Sequence, residues 1–243
     1  MLPKVASLSA SAALLAVPMM GAIADPAAAQ ADPPRFDWTG FYVGAMGGYA
    51  WADASADTSF TSDFDADGDG FTLGVLGGYG IQFGPAFLGL EADMNYADLR
   101  IDGAGSGVFI PFGGYTEEFT SRVEWFGTVR ARAGFAPVER VLFYGTGGLA
   151  FGEVDTDYIR DESYLGPSSY AGSDSSVKVG WTAGGGVEVA VIPSWILKAE
   201  YLHVDLEDTD IDIEPTLGAT TTLGTLTSDN DFDVVRFGVN HGF

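Results

Sequence analysis

A chain of 243 residues holds one large β domain or two small ones, and a formal net charge of −23 with a pI near 4.1 leaves no basic face for nucleic-acid phosphates. Cys is absent, which removes a disulfide framework, thiol chemistry and thiolate metal ligands. Gly is abundant at 34 residues, and aromatics make up 13%.

At the N-terminus, Lys4 is the lone charge before an apolar, Ala-rich run from Val5 to Met20, the layout of a secretory signal peptide. Two small-x-small sites follow, Ala22-Ile23-Ala24 before Asp25 and Ala29-Gln30-Ala31 before Asp32. Cleavage at the second divides the chain into a signal peptide (1–31), a short Pro-containing periplasmic lead-in (32–37) and a folded domain (38–243). An uncleaved membrane anchor is the competing reading, but the run is short and interrupted by Ser. Cleavage removes Lys4 and Asp25, so the mature charge is unchanged. Beyond Ala31 no stretch of about 18 consecutive apolar residues occurs, so no transmembrane helix is expected. A transmembrane barrel, whose signal per segment is weaker, stays open.

Period-2 patterning resolves the remaining chain into eight strands, near Trp38–Ala52, Phe71–Phe83, Ala86–Leu99, Arg122–Phe135, Val141–Glu153, Val177–Val191, Trp195–Asp205 and Asp233–Phe243. The connections alternate. Gly84-Pro85, Ala136–Arg140 and Ile192–Ser194 are short, whereas Asp53–Gly70, Arg100–Ser121, Val154–Ser176 and Leu206–Phe232 are long and polar. Short turns at one end and long acidic loops at the other predict an all-β, eight-stranded antiparallel transmembrane barrel with extracellular loops and both termini periplasmic. A soluble sandwich or lipocalin-type barrel shares the strand count, so the faces must decide.

In the fourth segment Val123, Trp125, Gly127, Val129, Ala131, Ala133 and Phe135 alternate with Glu124, Phe126, Thr128, Arg130, Arg132 and Gly134. The third, sixth and eighth segments divide in the same way. The polar faces carry five acids (Glu91, Asp93, Glu124, Glu188, Glu200) and five bases (Arg130, Arg132, Lys178, Lys198, Arg236). Such balance in so acidic a chain points to charges paired in an enclosed lumen, because an unpaired buried charge is very costly. The apolar face then meets lipid. Its aromatic ends predict two girdles at headgroup level, including Trp38 and Trp195 at the turn end, and Trp51, Tyr96, Trp125 and Tyr201 at the loop end. Glycines such as Gly48 and Gly184 to Gly186 leave room for long inward side chains.

The stretch "FDWTGFYVGAMGGYAWA" after the signal and the final strand "VVRFGVNHGF" resemble the opacity-protein-like outer-membrane β-barrel surface antigens (porin family) of alphaproteobacteria, over essentially the whole mature chain. The resemblance implies an eight-stranded barrel in the outer membrane. It also implies recognition of the last strand by the barrel-assembly machinery, through Val235, Phe237, Val239 and Phe243. His241 stands where an aromatic, often Tyr, is usual. Function within the family is diverse, and fold alone does not choose among its members.

"SDFDADGDGF" (62–71) has the look of a calcium loop. An EF-hand needs a bidentate Glu at the twelfth position from Asp63, which here is Gly74, and the Ile usual at the eighth position is Gly70. A solvated acidic loop is the simpler reading, and a weak Ca²⁺ or Mg²⁺ site on Asp63, Asp65 and Asp67 the alternative; no other cofactor is expected. The expected partners are outer-membrane lipid and lipopolysaccharide, with the assembly machinery during biogenesis; no feature names an extracellular partner. An envelope surface protein without enzymatic activity leads the functional readings. A narrow pore selected by lumen charges is second. A lipid-modifying enzyme is remote, because the two histidines, His203 and His241, fall at opposite ends of their strands and Ser163, Ser168 and Ser169 lack a partner.

Overall fold

In the computed structural model, described for residues 36–58, 64–109, 113–163, 168–217 and 224–243, eight antiparallel strands close into a barrel in chain order. They are β1 (Gly40–Thr58), β2 (Phe64–Phe83), β3 (Ala86–Phe109), β4 (Gly113–Val138), β5 (Val141–Glu162), β6 (Ser168–Ile192), β7 (Trp195–Leu217) and β8 (Gly224–Gly242). The last strand pairs with the first, from Tyr42↔Gly242 to Thr58↔Leu226. No helix occurs among the described residues. Residues 1–35, with the expected signal and its cleavage sites, lie outside the described residues.

The turn end is tight. Gly84 takes φ 61° and Ser194 φ 68° in their two-residue turns, a backbone region that Gly enters without steric penalty. At the other end the structure corrects the expected connections. The four long polar regions are mostly strand. For example, β3 and β4 stay paired from Arg100↔Arg122 to Phe109↔Gly113, where a loop was expected. The strands reach 19 to 26 residues, about twice the ~10 needed to cross a bilayer. The barrel wall therefore continues well beyond its apolar band.

That band faces outward. Phe41, Leu73, Leu90, Val129, Leu149, Val179, Leu197 and Phe237 are all exposed, an arrangement stable only against lipid. Inward glycines set how closely the wall meets its contents. A Cβ on Gly48 would meet Arg236 Cβ at 2.7 Å, and one on Gly148 would meet Arg130 Cα at 2.7 Å. Glycine is required there because the adjoining strand passes too close for a side chain.

Two bulges invert the alternation. Against β5, β4 carries one extra residue, Glu124, between Val123↔Val154 and Trp125↔Glu153. Even positions of β4 face the interior below this point and odd positions above it. In β7 the register shifts between Leu206 and Thr209, so Leu206 and Thr209 both face inward. One inserted residue exchanges the two faces of everything beyond it.

Candidate functional site

The interior contains a belt of charge on β3, β4, β6, β7 and β8. Arg130 holds its centre. Its Nη2 donates to Glu91 at 2.6 Å and Asp93 at 2.8 Å, its Nη1 to Glu200 at 3.0 Å, and its Nε to Thr128 at 2.9 Å. Arg236 bridges Asp93 at 3.0 Å and Glu200 at 2.6 Å. Lys198 joins Glu91 at 2.5 Å and Glu200 at 3.2 Å. Arg132 reaches Glu91 at 3.0 Å and Glu188 at 2.8 Å, with its guanidinium 3.9 Å from the centre of the Tyr144 ring. Four acids and four bases are thus gathered, all buried. Each carboxylate touches at least one cation, which is the condition for holding ions in a low-dielectric space.

Two of the ten charges expected in the lumen do not join the belt. Glu124 is exposed, because as the inserted residue of the β4 bulge it turns outward. Lys178 sits higher on β6, paired with Asp174 at 3.5 Å and donating to the Asp208 carbonyl at 3.4 Å. The β6 member of the belt is Glu188, ten residues further on. Neutral partners complete the belt, and two of them, Asn95 and Asn240, fall on the polar faces that the alternation of the third and eighth segments predicts. Tyr42 donates to Glu91 at 3.0 Å, Tyr144 to Glu200 at 2.8 Å, Asn95 to Asp93 at 2.7 Å and Asn240 to Glu188 at 3.3 Å. Their signal was position alone: each stands at an inward place of its strand.

Apolar layers lie on both sides of the belt. Toward the long-strand end Phe126, Ala150, Val154, Leu202, Val204, Leu206, Phe232 and Val234 form one buried cluster with residues from most strands. Toward the turn end Trp38, Phe87, Leu142, Ala190 and Ile196 form another. Trp38 was expected in the turn-end girdle. Instead it is buried at 6% exposure, because it precedes β1 and folds inward, its backbone N–H donating to Gln82 at 3.1 Å. Above the long-strand cluster, Arg160 pairs with Glu117 at 3.4 Å, and Tyr158 donates to Glu117 at 2.9 Å. Burial and that hydrogen bond push the Tyr158 phenol far above its ordinary range.

Of the other girdle residues, Tyr96, Trp195 and Tyr201 are exposed and Trp51 and Trp125 half-buried on the outer wall. Trp125 Nε1 donates to Glu153 at 2.6 Å and Tyr201 to Asp233 at 2.6 Å. In β8, Phe237 and Val239 are exposed and Val235 half-buried, and Phe243, just past the strand, is exposed. Asp63 lies outside the described residues. Asp65 and Asp67 belong to strand β2 and not to a loop, with Asp67 exposed. Among the described residues no group of three or more His, Asp or Glu is placed to hold a metal ion.

The bulge gives a direct test. Val123→Asp is expected to destabilise the barrel by about 3 kcal/mol or more, since it buries an unpaired charge, whereas Glu124→Ala stays within about 0.5 kcal/mol of the unaltered protein. Urea unfolding in micelles, followed by heat-shifted gel mobility, reads both. Equal effects would mean that the two faces do not exchange at residue 124.

The outer membrane protein beta-barrel domain family matches residues 12–243 of the chain. The 31 kDa outer-membrane immunogenic protein of Brucella melitensis biotype 1 is 34% identical over 251 residues, covering 97% of this chain and 98% of its own length. The 22 kDa outer membrane protein of Rhizobium leguminosarum bv. viciae is 30% identical over 181 residues, covering 74% of this chain and 70% of its own. Among solved structures, the outer membrane protein OprG from Pseudomonas aeruginosa superposes with a TM-score of 0.51 over 84% of this chain and 96% of its own, at 13% identity. At that identity the likeness concerns the fold alone.

Proposed function

The chain belongs to the outer membrane protein β-barrel family, and on that premise we propose that it is a non-enzymatic surface protein whose closed barrel anchors an acidic, rigid wall outside the cell. The long-strand end is placed extracellularly and the turn end, with both termini, in the periplasm; the alternation of short and long connections supports this orientation. The function is envelope integrity and contact with the surroundings.

The observation that carries this reading is the filled interior. A charge belt alone could open to water, since ion pairs exchange for hydration. Here it is enclosed between two apolar layers, and a permeating ion would have to shed its water at each. An apolar constriction is itself a barrier to ions. These layers speak against the pore reading.

The histidines speak against an enzyme. His203 is held by Asp233 at 3.0 Å on the outer wall, while the Thr182 hydroxyl donates to the His203 carbonyl and not to its ring. The Ser163 hydroxyl donates to the Gly114 carbonyl and that of Ser169 to Asp161. A nucleophile activated by a base needs hydrogen-bond contact with it.

The test is planar-bilayer conductance of the refolded barrel lacking its signal. A silent bilayer, with protein shown to be folded by its gel mobility, is the expected result. Discrete conductance steps from the unaltered barrel would overturn the reading.

A further inference from the structure

The outer wall beyond the aromatic rim is acidic, and two bases are set into it side by side. Four of the bases are in the belt, Arg160 and Lys178 are largely covered by their partners, and Arg140 is at a turn. The outward-facing bases of the long-strand half, among the described residues, are Arg100 and Arg122. The register makes these two direct cross-strand neighbours. Like charges directly opposite on a sheet repel, and an anion held between them relieves the repulsion.

The pair is prepared unequally. Arg100 Nε donates to both carboxylate oxygens of Asp102, at 3.1 and 3.0 Å, and Asp102 also accepts from the Thr120 hydroxyl at 3.0 Å. That fixes the arm and leaves the Nη edge free for a second acceptor. Arg122, although exposed, makes no side-chain hydrogen bond or ion pair among the described residues. Two guanidinium groups side by side match the geometry of a phosphate, which takes paired N–H donors.

The position names the source of that phosphate. Tyr96 and Trp125, also directly opposite each other, mark the aromatic rim. Arg100 lies four residues beyond Tyr96, about 13 Å along the strand and about 10 Å along the barrel axis after tilt. An arginine arm reaches back over part of that distance. Below the rim the same strands present Leu90, Met94 and Val129 to lipid. Asp69 and Asp155 flank the pair in register and disfavour a free dianion in solution. A phosphate tethered to acyl chains in the adjoining leaflet is supplied at high local concentration and overcomes that repulsion.

We propose that Arg100 and Arg122 form a site for the phosphate headgroup of a membrane lipid in the leaflet at the long-strand end. This rests on the orientation proposed above, which makes that leaflet the outer one. The experiment uses the full mature barrel in neutral micelles, with native mass spectrometry reading the lipid retained. Phosphatidic acid is expected to bind in preference to phosphatidylcholine. Arg100→Gln/Arg122→Gln should weaken it at least about tenfold, and Arg140→Gln should leave it unchanged. Equal retention by the double variant, or equal binding of the two lipids, overturns the proposal. So does displacement by excess inorganic phosphate, which would mark a site for free anions. A conducting barrel would refute the surface-anchor reading while leaving this lipid selectivity intact, so the two failures are distinguishable.

Discussion

Arg130→Met is expected to destabilise the barrel by about 3–5 kcal/mol, the range for removing one partner from a buried ion pair. The guanidinium touches three carboxylates, Glu91, Asp93 and Glu200, and both ion and partners are sealed from water. Lys198, Arg132 and Arg236 remain, but their contacts are already committed to the same carboxylates and Glu188. Met fills much of the volume, so the loss reads charge and not a cavity. Arg130→Lys should recover part of it at most. An ammonium keeps the charge but cannot reproduce a planar fork spanning three acceptors. Urea unfolding in micelles measures both variants against the native barrel. A change for Arg130→Met below about 1 kcal/mol, the scale of an exposed pair, would mean that water reaches the belt and would undermine the sealed-lumen reading as well.

The second large effect is expected at Phe126. It is wholly buried in the apolar layer above the belt, its ring edge-on to Phe232 with centroids 5.3 Å apart. Phe126→Ala should cost about 3–5 kcal/mol through lost transfer energy and a residual cavity. It sits two residues from Thr128, which donates to Asp93 at 2.7 Å, so the apolar layer and the charge belt adjoin on one strand. The variant should nevertheless stay silent in planar bilayers, because the belt and the turn-end layer remain. Phe126→Ala/Phe232→Ala should cost less than the sum of the single changes, since the two rings share one contact. Conductance from the single variant would show that this layer alone closes the barrel.

The fold was legible because both ends of the pattern agreed: short turns at one end and long polar stretches at the other, with period 2 between. Eight of the ten charges read as lumenal share one belt, because inward positions below the bulges keep a strict alternation. Glu124 escaped that reading for a definite reason. Val123 and Trp125 look like one face in the sequence, and only pairing with β5 reveals the extra residue between them. The apolar layers were harder to see. Leu202 beside Tyr201, Val234 beside Val235 and Ala150 beside Phe151 are adjacent apolar residues, and two-sided apolarity blurs an alternating pattern rather than announcing itself. The long polar stretches hid strands because their outward positions are acidic while their inward ones, such as Ile101, Phe119, Ile211 and Ile213, are apolar. Acidity there marks the solvated face of a continuing wall and not a loop. Trp38 misled by composition, since an aromatic near a strand end suits either a girdle or a plug.

The belt also bears on how such a chain can enter a membrane. Its contacts join residues far apart in sequence: Arg236 of the last strand bonds Asp93 of the third, and Lys198 of the seventh bonds Glu91. A hairpin inserted alone would carry naked ions into hydrocarbon, and Glu91 and Asp93 would wait for cations not yet delivered. Stepwise insertion from the N-terminus is therefore penalised until β8 arrives, and the favourable route is concerted, with the sheet closing while its inner face is still wet. A chain cut short before β8, and so without Arg236, should accordingly stall as an adsorbed, protease-sensitive species, whereas the intact chain proceeds to the closed barrel.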